Sequence, residues 1–140
     1  MNHNNLERYS FLWSEVRLII AALALFLGGV SPLLKLGLPS GLASSLLTLS
    51  WIISGVAAVY LLYRWNKTKL LLGGKDKWDA VAFFVMVVSG INLGLVGLLG
   101  RNIGMSISSS SVLFVVVGIL YLASCYRLYK RWKANGERLF

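Results

Sequence analysis

The apolar positions of this chain fall into four long blocks, with polar and charged residues gathered between them. The first block runs from about Val16 to Leu34 and follows Tyr9, Phe11 and Trp13, an aromatic belt of the kind found at membrane interfaces. The second runs from about Leu42 to Tyr63, with Pro39 and Ser40 as its opening turn and cap. The third runs from about Asp79 to Gly100, with Trp78 at its start. The fourth runs from about Ser110 to Tyr126 and is followed by Arg127, Tyr129, Lys130, Arg131 and Trp132. Each block is close to the roughly 20 residues that cross about 30 Å of hydrocarbon. Backbone groups in lipid must bond within their own segment, so the pattern predicts helices. The alternating strands of about 10 residues that a membrane barrel needs are missing.

The expected fold class is therefore an all-α membrane protein of one domain, residues 1–140. Its four transmembrane helices form two tandem parallel helical hairpins, residues 9–65 and 78–132. A basic loop, 66–77, joins them, and a basic tail, 133–140, follows. A cleaved signal peptide is the competing reading of the first block. Glu7 and Glu15 beside Arg8, the length of the run, and Leu42-Ala43-Ser44 as the one weak cleavage candidate argue against it.

Charge adds orientation. Charged residues make up 14% of the chain, against about 25% in soluble domains, which removes a water-facing surface from consideration. The net charge of +9 raises nucleic acid as a partner. The basic residues, however, stand almost entirely at the ends of the apolar blocks, where they set topology and meet anionic headgroups. Arg8 and Arg17, then Arg64, Lys67, Lys69, Lys75 and Lys77, then Arg127, Lys130, Arg131, Lys133 and Arg138 fall on one side; only Lys35 and Arg101 fall on the other. The bias places both termini and the middle loop in the cytoplasm, in a multi-pass protein of the cell (inner) membrane. The expected partners are anionic lipid and either a second copy of the chain or another membrane protein, with no nucleic acid.

The two hairpins carry similar strings. Gly28-Gly29-Val30-Ser31 matches Ser89-Gly90-Ile91-Asn92, and Gly55 to Arg64 matches Gly118 to Arg127. Both hairpins start and end inside, so they would be parallel repeats about an axis along the membrane normal. The string Ser89-Gly90-Ile91-Asn92-Leu93-Gly94-Leu95-Val96-Gly97-Leu98-Leu99 is more specific. It resembles the Gly-x-Asn-x-Gly-Leu-Val-Gly-Leu signature of an uncharacterised family of small two-helix bacterial membrane proteins, catalogued as domain of unknown function 378. The resemblance covers roughly residues 76–127, where Asp79-Ala80-Val81 and Gly118-Ile119-Leu120-Tyr121-Leu122 also fit. Leu93 stands where that family commonly has Trp, and the first hairpin, with Ser31 and Pro32, is at best a diverged copy. The resemblance implies a two-helix unit and no activity.

The small residues of that string have a physical use. Ser89, Gly90, Gly94 and Gly97, with Gly55 and Gly118 on neighbouring blocks, let helix backbones approach closely in lipid. Stripes on the second block (Ser44, Thr48, Trp51, Gly55, Ala58) and the fourth (Ser111, Phe114, Gly118, Tyr121, Cys125) are expected to face the bundle centre. Asn92, about 20 Å along its helix from Trp78, is expected in the outer half of the bilayer. There its amide should bond across helices or line a polar path with Ser89, Thr48 and Ser54.

Few residues offer chemistry. Glu15 and Arg17 stand at the inner edge of the first block. They are expected at headgroup level, snorkelling or meeting basic loop residues, with ion coupling as the second reading. Cys125 reads as a packing residue, and the single His3 gives no metal cluster. Ser106 and Ser108 to Ser111 read as an outer turn and cap. Leu70, Leu71 and Leu72 beside Lys67, Lys69, Lys75 and Lys77 suit a loop lying on the inner leaflet, with Arg127, Lys130 and Arg131 also at headgroups. No catalytic residue, metal or cofactor motif is present, so the expectation is no enzyme. The first functional expectation is a structural or accessory subunit acting through helix packing; the alternative is a narrow homo-oligomeric channel or small-solute transporter.

Overall fold

The computed structural model describes residues 3–32, 39–100, 102 and 110–140. Four helices make up the fold: α1 (His3–Phe26), α2 (Ser40–Thr68), α3 (Lys77–Leu99) and α4 (Ser111–Ala134). Each is long and apolar enough to cross a membrane. Among the described residues there is no strand, only an isolated bridge between Leu71 and Gly74.

The first helix begins and ends well before the apolar block that predicts it. A stripe of Glu7, Phe11, Ser14, Leu18 and Ala22 repeats at intervals of three and four residues, and all five are buried. The helix therefore runs through the polar stretch that reads as a flank. It stops at Phe26 because Gly28 and Gly29 take φ of +74° and +87°, where side chains are disfavoured. Two other helices, α2 and α4, extend past their apolar blocks into charged residues, to Thr68 and Ala134. Asp76 caps α3, accepting from the N–H groups of Trp78 at 2.8 Å and Asp79 at 3.1 Å. The Asp79 N–H above all, joined by Trp78 and Arg127, holds the Asp76 carboxyl below its ordinary value. Ser110 is the N-cap residue of α4; Ser106, Ser108 and Ser109 lie outside the described residues.

Contacts run in opposite order along neighbouring helices. Glu7 meets Arg64 and Trp13 meets Ser54, so α1 and α2 are antiparallel. Gly90 faces Ala58, Gly94 faces Gly55 and Gly97 faces Ile52, so α2 and α3 are too. Phe11 stacks on Trp132 and Phe26 covers Gly118, which sets α4 against α1. The Gly28 string thus follows its helix, whereas its match at Gly90 lies mid-helix, so these two strings do not occupy equivalent places.

The end of the bundle that holds the start of α1 and the C-terminal tail is solid. Phe11, Leu18, Leu61, Phe83, Met86, Leu128 and Trp132 form its core. Leu71 and Leu72 belong to that core at 3% exposure, and so the middle loop does not dip its paired leucines into lipid. Their cover is the C-terminal tail. The Leu72 N–H donates to the Leu139 carbonyl at 2.6 Å, Leu139 is 1% exposed, and Phe140 packs edge-on to Phe83. Only Leu70 of the three stays exposed. Leu139→Ala is expected to lower stability by about 2–3 kcal/mol through the cavity it leaves. Denaturant titration in micelles followed by helical circular dichroism would read that loss; an unchanged midpoint would mean that the tail is not part of the core.

Candidate functional site: a cavity floored by Arg17

The opposite half of the bundle is hollow. A cavity of about 570 Å³ lies between the four helices and reaches Gly29, Leu47, Val96 and Leu113 near their far ends. Its wall is apolar, from Ile20, Ala24, Leu47, Val96 and Phe114. Among the described lining residues the one charged group is at the inner end, where Arg17, Ser54 and Ser89 meet the rim of Trp13. Arg17 sits about 14 Å along α1 from Phe26, and it is 6% exposed. Its guanidinium crosses the bundle to α3, donating through Nη1 to Ser89 Oγ at 2.9 Å and through Nη2 to the Met86 carbonyl at 2.8 Å. Nε is buried with no acceptor. Beside it, Trp13 Nε1 donates to Ser54 Oγ at 3.0 Å, and the Ser54 hydroxyl donates to the Ser50 carbonyl at 2.6 Å.

Glycine sets how deep this floor lies. A Cβ added at Gly90 would stand 2.6 Å from the Ala58 Cβ and 3.3 Å from Arg17 Nη2. The bare backbone at Gly90 therefore lets α2 close on α3 and leaves room for the guanidinium. Further along the cavity, Asn92 Nδ2 donates to Asn102 Oδ1 at 3.0 Å.

Compared with known proteins, the chain matches no family model, no curated protein and no solved structure. The site is accordingly read from its own geometry.

Of the polar candidates from the sequence, Ser54, Ser89 and Asn92 line the cavity. Gly55, Gly90, Gly94 and Gly97, with the Thr48 carbonyl against Gly97, form the seam between α2 and α3. Gly118 takes the Phe26 ring. These small residues are all used inside one chain.

Glu15 and Arg17 correct the headgroup expectation. Both are buried, at 4% and 6% exposure, and neither snorkels or meets a basic loop residue. The reason is the early start of α1, which puts them mid-helix. Two residues apart on a helix, they also point to opposite sides. Glu15 turns to α4, where its Oε2 accepts from the Cys125 thiol at 2.7 Å and its Oε1 has no partner. Cys125 is thus a hydrogen-bond donor as well as a packing residue.

The predicted headgroup residues divide. Arg127 and Arg131 are engaged within the protein by Asp79. Lys67, Lys69 and Lys130 lie over the rings of Tyr63, Trp65 and Tyr126. Lys75 and Lys77 are exposed and make no ion pair among the described residues. Lys35 and Arg101 lie outside the described residues.

Sequence reasoning missed Trp13 and Ser50 as cavity residues, whereas Tyr121 lies on the stripe expected to face the bundle centre. Trp13 reads as an interface belt because it precedes an apolar block. Its place on the buried stripe's edge, one residue before Ser14, was the available signal. Among the described residues no group of three or more His, Cys, Asp or Glu side chains is placed to hold a metal.

Proposed function

We propose that this is a small, non-enzymatic multi-pass protein of the cell membrane that binds a small solute in the cavity and moves it across, as a carrier. The observation that carries the reading is the cavity itself, hollow in one half of the bundle and ended by Arg17 where the solid half begins. A cation held mid-helix among apolar neighbours is costly, and in membrane proteins such groups mark ligand or ion paths. A continuous pore would need a hollow terminal half; instead Phe83, Met86 and Leu128 fill it. A cavity closed at one end suits a carrier resting in one of two states.

The accessory reading would have the glycine faces hold partner helices; here those faces pack α2 on α3 and α1 on α4. For the same reason the site needs no second copy of the chain. Both termini are assigned to the cytoplasm, on Arg8, Arg64, the middle-loop lysines and the C-terminal basic residues; Arg17, inside the bundle, no longer counts toward that bias. Descent of the hairpins from one repeat, and kinship with the two-helix family, rest on the strings quoted from the sequence.

The test is flux in liposomes across a panel of small ions and organic solutes, comparing the wild type with Ser50→Leu. Ser50 lines the cavity, and its hydroxyl bonds only within its own helix, to the Leu47 carbonyl. Leucine there fills the cavity without stranding a partner. Flux lowered about tenfold or more by Ser50→Leu is expected. No flux for any solute, together with a stoichiometric partner protein, would return the accessory role.

A further inference from the structure

The cavity has a chemical polarity that narrows its ligand. A guanidinium keeps its charge in proteins, and it offers a planar fork of N–H donors. At Arg17 two of those donors are taken, both by neutral groups, the Ser89 hydroxyl and the Met86 carbonyl. Among the described residues no carboxylate forms an ion pair with it. Glu15, two residues away, faces α4 and does not line the cavity. The positive charge is therefore held in place with no carboxylate in direct contact, Glu15 acting on it only from a distance, and Nε still lacks an acceptor. Beyond the floor the described lining is mostly apolar, from Ile20 and Ala24 to Val96 and Leu113, and its polar side chains are neutral: Ser31, Ser50, Tyr121 and the bonded pair Asn92 and Asn102.

Resting on the carrier reading above, we propose that the ligand is an amphipathic anion. Its carboxylate or phosphate-type head meets Arg17, and its apolar body lies along the cavity wall toward the far helix ends. A carboxylate supplies the acceptor pair that suits the fork, and its charge cancels the one buried there. Trp13 and Trp51 line the cavity as rigid apolar flanks for the body. The volume of about 570 Å³ falls within the 300–1,000 Å³ of small-molecule sites. A neutral solute would leave the guanidinium without a direct ionic partner, and a cation would be repelled by it.

Three probes of one chain length separate these cases: 11-bromoundecanoate, 11-bromoundecanol and 11-bromoundecyl-trimethylammonium. Each quenches tryptophan fluorescence on contact. They would be titrated into the full chain in nanodiscs, and the signal remaining in Ser50→Leu subtracted as lipid partition. The carboxylate is expected to saturate about tenfold or more tighter than the alcohol, and the ammonium to give no Ser50→Leu-sensitive signal. Arg17→Gln should weaken the carboxylate about tenfold or more, with Arg17→Lys between it and the wild type. Should Arg17→Gln fail to fold, the order of the three probes on the wild-type chain still decides. Equal binding of alcohol and carboxylate, both abolished by Ser50→Leu, would overturn the anion while leaving the cavity as a binding site. Absence of any Ser50→Leu-sensitive signal from all three would overturn both.

Discussion

Gly94→Leu is expected to part α2 from α3 and to cost about 3 kcal/mol or more, beyond the 1–3 kcal/mol typical of overpacking. A Cβ at Gly94 would meet the Gly55 Cα at 2.7 Å and the Gly55 nitrogen at 3.5 Å. The obstacle is backbone, so no rotamer change relieves it. Only separation of the helices does, and that separation propagates. Gly90 and Gly97 are equally close-packed along the same seam, at 2.6 Å to Ala58 Cβ and 2.9 Å to Ile52 Cγ1. The dispersion attraction forfeited there is not replaced by a hydrophobic drive, because lipid is as apolar as the seam. Gly94→Ala should fall in the ordinary overpacking range, about 1–3 kcal/mol. Gly41→Ala is the control: it lies in α2 with nothing within 4 Å of its added Cβ. That change should be neutral or stabilising by up to about 1 kcal/mol. Denaturant midpoints in mixed micelles would read all three. A Gly94→Leu protein as stable as the wild type would mean that the two backbones do not approach this closely.

The seam also shows what the sequence could and could not reveal. That Gly55, Gly90, Gly94 and Gly97 pack helices follows from their size and spacing. Which helix each meets does not, because a glycine stripe is equally good against any partner. The four spans are legible because hydrocarbon thickness fixes their length. Their ends are less so: hydropathy measures transfer into lipid, whereas a helix is ended by backbone geometry, here at Gly28 and Gly29. The same difference hid the site. Glu7, Ser14, Glu15 and Arg17 look like a polar flank when counted by hydropathy, yet they lie on a helix whose inner stripe is buried in protein. Arg17 finds its partner 72 residues away at Ser89, and nothing local announces that meeting. Leu71 and Leu72 read as lipid-facing for a related reason, since their cover comes from the last residues of the chain.

At the solid end of the bundle the loss and the abandonment of the buried Asp79 carboxylate should differ. Asp79 is fully buried and accepts from Arg127 Nε at 2.7 Å and Arg131 Nε at 2.8 Å. The two arginines stand four apart on α4 and so grip it from one face. They are themselves 38% and 45% exposed. In Asp79→Asn the arginines return to water, so the cost is that of the lost charge-assisted bonds, about 2 kcal/mol after allowing for their hydration. In Arg127→Leu with Arg131→Leu the carboxylate stays buried without a counter-charge, and the cost rises to about 3–5 kcal/mol. Adding Asp79→Leu to that pair removes the stranded charge and should recover most of the loss, since apolar replacements of a buried ion pair are often neutral. Denaturant midpoints of the three proteins order them: Asp79→Asn mildly reduced, the arginine pair most reduced, the triple variant largely restored. A triple variant no better than the arginine pair would place the stabilisation in the arginine stems packed on α3, and not in the carboxylate they surround.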